Sequence, residues 1–339
     1  MPDTWHREYV REAIENIKGG RAMARGDWEA GDVDEPWLPE FDVRAIVAAL
    51  PRRPVTVDDF VWDESLRNDE RLVEVRDGIR GLIAGEAAAV TRALSDLRGL
   101  TCDDGVTGVF GACVVPSLIR LAEEGSGPVR TEALQLAGDL ARMDVFGKDS
   151  RSGLLRTMGP LARYDSWGYL ENWAVEAVRM MIGRDAGPLI TLLNDDDPHV
   201  RGRAAYVLVT SLPAGQEIAD ALWERLGVER DPAVQMDLVV GLAQHDNERD
   251  QLAQAMTWTR TLWSEPASAS GARLGAVVAW LALMSESAPP ELRRVLVDMP
   301  MPATYELLRQ LAWIWWVDVR PGRLVDRWQD LTRGDAPGW

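Results

Sequence analysis

From residue 116 onward, apolar and small residues recur at helical spacing behind short polar turns. Val200, Ala204, Val207 and Leu208 fall at i, i+4, i+7 and i+8, the set that lines one face of a helix. Val129, Ala133, Leu136 and Ala137 repeat it, and Val234, Leu238, Gly241 and Leu242 give it again. An acidic or glycine-rich turn with proline precedes each set: NDDDPHV, EEGSGPV and the shorter DPAV from Asp231. Asp197 before Pro198, and Asp231 before Pro232, put a capping carboxylate ahead of a proline at the first helical position, where its missing N–H costs nothing. Gly127 and Pro128 start their helix less well.

The spacing extends the pattern. Val200 to Val234 is 34 residues, and Val129 to Val200 is 71, close to two such periods. A divergent copy is therefore expected between them, at residues 169–180 (YLENWAVEAVRM), and a further one near Ala272 (ARLGAVVAWLAL). Periods in this range predict helix pairs stacked into a superhelix. The turn and helix NDDDPHVRGRAAYVL resembles the HEAT repeat, in which an Asp-rich turn, a proline and Val-Arg join antiparallel helices. The resemblance covers residues 116–245 and implies an all-α, right-handed α-solenoid of HEAT-like helical hairpins. It implies structural roles for Asp197, Pro198, Val200, Arg201 and Asp231, with Arg201 bonding acidic or carbonyl groups of neighbouring repeats. Arg130 matches Arg201, whereas the third copy has Gln235 at that place.

The first seventy residues differ from the rest. They hold 17 acidic and 9 basic residues, a net of −8, and the other 269 carry the remaining −9 of the chain's −17. The chain divides accordingly into an irregular acidic N-terminal capping segment, residues 1–70, and a helical repeat region, residues 71–339. Within the first, Thr56 offers an N-cap with Asp58 and Asp59 in the first turn, where the helix dipole favours negative charge.

Charge also narrows the partners. An acidic surface repels nucleic acid and anionic lipid, because Lys and Arg supply most of the attraction to phosphate, and it attracts a basic protein, a peptide or a small cation. No stretch approaches the roughly 20 apolar residues of a membrane span. The chain reads as cytoplasmic. Cys102 and Cys113 form no CxxC pair, and the three histidines are scattered, so neither a metal site nor a cofactor is expected. The nucleophile motif GxSxG, the dinucleotide motif GxGxxG and the P-loop are missing, so a catalyst is disfavoured.

Tryptophan supplies the remaining candidates: the chain has 15, against 4 phenylalanines. Each ring is either a wedge in the core or an anchor for a partner. One cluster, Asp165, Trp167, Tyr169 and Trp173, sets a carboxylate beside aromatic faces, which is what a cation needs. The other, LAWIWWVDV, spreads Trp313 and Trp316 around a segment that serves either as the closing cap of the stack or as a dimer contact. The expectation is a HEAT-like interaction module that binds a basic protein or peptide on a concave surface rich in Trp and carboxylate, as an adaptor, assembly factor or toxin-neutralising partner. The alternative is an enzyme or binder for a cationic or aromatic small molecule. HEAT-like DNA glycosylases fall within that alternative, although their basic groove conflicts with the charge here. A closed apolar pocket would favour a small ligand and an open groove a protein.

Overall fold

The computed structural model describes residues 47–60, 71–84, 86–103, 106–108, 110–142, 154–157, 171–284 and 288–314, with the side chains of 103, 106, 171–173, 301 and 314 outside that description. The protein is all-α, its helices packed in sequential hairpins, an arrangement compatible with a helical repeat fold. The β structure among the described residues is a two-residue antiparallel ribbon, Cys102–Asp103 against Val106–Thr107.

The hairpins follow chain order. Helix α1 (Leu72–Ala84) pairs with α2 (Ala87–Thr101), and α3 (Gly111–Glu124) with α4 (Pro128–Leu140). Helices α5 (Glu171–Arg184) and α6 (Ala186–Leu192) together precede α7 (Pro198–Leu208). Then α8 (Gln216–Val228) pairs with α9 (Pro232–Glu248), and α10 (Leu252–Ser264) with α11 (Ser270–Leu283). Two shorter helices, α12 (Pro290–Asp298) and α13 (Met301–Leu308), follow. The second helices form one continuous layer, α2 on α4, α4 on α7, α7 on α9 and α9 on α11. The first helices form the other, and the apolar core lies between the two, with Leu97, Leu118, Leu134, Val200, Leu222 and Leu238 sealed from solvent.

Local chemistry explains where the helices start. The Asp197 carboxylate accepts from the His199 N–H at 2.9 Å, and Asp231 accepts from Ala233 and Val234 at 2.9 and 3.2 Å, each ahead of a proline whose fixed φ suits the first turn. Helix α4 has no side-chain cap. Its N-cap, Gly127, has a φ of 58°, a conformation that glycine adopts without steric cost. Thr56 caps only a single 3-10 turn, Val57–Asp59, closed by a reciprocal bond in which the Thr56 N–H donates to the Asp59 carboxylate. That turn and its neighbours pack on the first-helix layer: Val47, Leu50, Val57 and Phe60 are buried, and Arg184 donates to the carbonyls of Val47, Leu50 and Pro51.

One expectation from spacing is corrected. Helix α5, at the place of the divergent copy, lies in the first-helix layer against α3, while α4 packs directly on α7. The 71 residues between Val129 and Val200 are thus one step of the second-helix layer, lengthened by the segment between α4 and α5. Amphipathic spacing marks a helix with one buried face but does not say in which layer that face is buried. Among the described residues, no helix is long and apolar enough to cross a membrane.

Candidate functional site

Arginine and carboxylate link successive turns. Arg201 donates to both oxygens of Glu229 at 2.8 and 3.0 Å and to the carbonyls of Asp195 and Asp196. Arg130 reaches forward in the same way, to the Asp195 carboxylate and back to the Ala122 carbonyl. Gln235, at the equivalent place on α9, donates to the Glu229 carbonyl at 2.8 Å. Burial raises the Glu229 pKa, but hydrogen bonds from Arg201, from the Asp231 and Arg230 backbone and from Arg225 outweigh it and hold the carboxyl at about 2. Asp197, Pro198, Val200, Arg201, Arg130 and Asp231 therefore sit in the turns and helix starts that join hairpins.

The second-helix layer has another polar feature. Gln135, Asp139 and Arg142 follow one another at i, i+4 and i+7 along α4 and its end. Arg203, Tyr206 and Thr210 recur at i, i+3 and i+7 along α7 and just past its end, and Asp237, Gln244 and Glu248 at i, i+7 and i+11 along α9, with Gly241 between them. Neighbouring helices bring these stripes together. The Tyr206 hydroxyl donates to Asp139 at 2.9 Å, as do Gln135 at 2.8 Å and Arg98 at 2.9 Å. Arg142 lies over the Tyr206 ring, 3.6 Å from its centroid, and donates to the Gly138 and Tyr206 carbonyls and to Gln244. Gln244 continues to Glu248, which also receives Arg179. Burial lowers the Arg142 pKa and raises that of Tyr206. Asp237 has a weaker partner, Arg203 at 3.7 Å, and burial pushes its carboxyl up to about 6.

The chain's own C-terminal part covers this face. The Trp313 indole N–H donates to Gln244 at 2.6 Å, and its ring stands edge-on to Tyr206 with centroids 4.9 Å apart. The indole also lies over Gly241, where a Cβ would make ordinary contact with the ring at 3.5 Å and a tighter one with Val209 at 3.2 Å. The Ala312 N–H donates to Asp237 at 3.3 Å, and its carbonyl accepts from Gln135 at 3.4 Å. Arg203 donates to the Gln310 carbonyl at 3.0 Å. Trp313 is only 6% exposed, so it is not open to a partner in this arrangement, contrary to its expected place on a binding surface. Nor do residues 310–313 simply close the last hairpin, since they reach back across α9 and α7 to α4.

Asp165, Trp167, Tyr169 and Trp316 lie outside the described residues, as does the side chain of Trp173. Other tryptophans are wedges: Trp263 and Trp280 are buried edge to face with centroids 5.8 Å apart, and Trp258 donates to Asp246. Trp223, against Trp258, is 43% exposed. A cleft of about 260 Å³ is lined by aliphatic side chains of α1 to α4 with Ser117, Arg120 and Glu124, and has no aromatic ring with which to cage a cation. Among the described residues, no three His, Cys, Asp or Glu side chains gather in a group that could hold a metal. Sequence reading missed the polar stripes, although their signal was present: polar residues at helical spacing on helices whose other faces are apolar.

Fold and face together define an all-α protein of stacked helical hairpins whose second-helix layer carries a polar face. The chain matches no family model, no curated protein and no solved structure.

Proposed function

We propose that this chain is a HEAT-like, right-handed solenoid with an acidic N-terminal cap, acting in the cytoplasm as an interaction module for a basic protein or peptide. The observation that carries the reading is the polar face of α4, α7 and α9. It holds a turn of chain through an indole N–H, a main-chain N–H and two main-chain carbonyls, groups that a tryptophan-bearing peptide also offers. The acidic balance of −17 supports a basic partner by long-range attraction, and Asp237, without a close cation of its own, supports pairing with one. Trp167 and Trp173 remain candidate anchors for the same partner.

The test is a pull-down from native cell extract at low and moderate salt, with wild type beside Asp237→Asn and Trp167→Ala. The expected outcome is a basic protein retained by wild type, weakened by salt and by Asp237→Asn. Retention of no basic protein, or retention indifferent to both salt and Asp237, would overturn the reading.

A further inference from the structure

We infer that residues 310–313, which end in the 3-10 turn Ala312–Ile314, are a detachable occupant of the α4–α7–α9 face, anchored by Trp313, and that the partner this face fits is a short turn-forming segment bearing a tryptophan that takes the same place. The inference rests on the reading of the face as a peptide-binding surface and adds that the protein keeps this surface filled with its own chain.

Three observations carry it. First, a surface meant for permanent burial is normally apolar, since each polar group there must recover its lost hydration through hydrogen bonds. Here every helix under the segment turns a polar stripe toward it, while the faces that meet the other layer are aliphatic. Second, the segment satisfies the stripe incompletely. Gln135 Oε1 and Arg142 Nε make no hydrogen bond among the described residues, the two bonds to Ala312 are long at 3.3 and 3.4 Å, and Asp237 is buried 3.7 Å from its nearest cation. Third, one side chain of the segment gathers the aromatic and cation contacts. Trp313 combines the short bond to Gln244, the edge contact with Tyr206 and a position 5.5 Å from the Arg142 guanidinium, with Leu311 and Ala312 buried beside it. Most of the network, from Arg98 and Gln135 through Asp139, Tyr206, Arg142 and Gln244 to Glu248, is bonded within the hairpins themselves, so departure of the segment would expose Leu311, Ala312 and the indole while leaving α4, α7 and α9 packed on one another.

The chain's own sequence provides the probe, so the test needs no outside partner and its failure is distinct from failure of the pull-down. A fluorescein-labelled peptide of residues 305–314 is titrated into the full chain as wild type, Trp313→Ala and Trp313→Ala with Gln244→Leu. Binding in trans is reduced by the fraction of molecules whose face is open, so Trp313→Ala should bind the peptide at least about tenfold more tightly than wild type. The double variant should lose that gain. Equal binding by wild type and by a Trp313→Ala chain with native circular dichroism would overturn the inference. Should Trp313→Ala fail to fold, hydrogen exchange on wild type decides: the Leu311 and Ala312 amides should exchange by a local opening while α7 and α9 stay protected. Exchange of those amides only together with α9 would mean a permanent part of the core.

Discussion

Asp237 and Glu229 are both carboxylates near arginines, and their environments drive them in opposite directions. At Asp237 burial dominates, with Arg203 and the Ala312 N–H opposing it weakly and Asp231 adding to it, so the pKa rises from 3.8 to about 6. Protonation therefore stabilises the folded chain: this contribution is complete below pH 3.8 and is lost as pH rises through 6. Asp237→Asn should raise stability at pH 7 by about 2 kcal/mol, and the gain should vanish near pH 4, as read by urea unfolding at the two pH values. Glu229 has the reverse sign. Its pKa falls from 4.5 to about 2, so its contribution is present above pH 4.5 and is lost as pH drops toward 2. Arg201→Ala removes two charge-assisted hydrogen bonds but leaves Glu229 paired with Arg225 and two backbone N–H groups, so it should cost about 2 kcal/mol at pH 7 in the same assay. The sequence assigned Arg201 its joining role through the motif, but nothing local to Asp237 announced its state. That state comes from its burial in the packed helices, which the Ala312 N–H, arriving from 75 residues away, only partly offsets.

Glycine shows the same division at the level of elements. Gly271 lies where α11 crosses α9 so closely that a Cβ would collide with the backbone carbonyl of Pro232, whereas Gly99 on α2 has open space around it. Gly271→Ala should cost about 2 kcal/mol, because a backbone carbonyl cannot rotate away as a side chain can. Gly99→Ala should stabilise by about 0.7 kcal/mol, the helix-propensity difference, and paired thermal and urea unfolding would check both. Helices α7 and α9 were legible because their caps, prolines and periodic faces lie within a dozen residues of one another. The layer assignment of α5 was not, since it depends on α4 meeting α7 directly across 71 residues of chain.

For the whole molecule, periodicity, turn chemistry and charge pointed to stacked helices and a partner of opposite charge, and salt dependence in the pull-down tests the second point. The acidic balance acts through the summed field of the surface and needs no particular contact, which is why composition alone could raise it. Composition could not say which tryptophans face a partner. The sequence by itself determined the helices, their caps and the arginine-carboxylate turns, because these follow from interactions over a few residues or from one repeat to the next. Only the tertiary structure decided that the polar stripes of α4, α7 and α9 align into one face and that Trp313 fills it. Both outcomes require residues far apart in the chain to meet, and local spacing carries no information about which of many helical faces will do so.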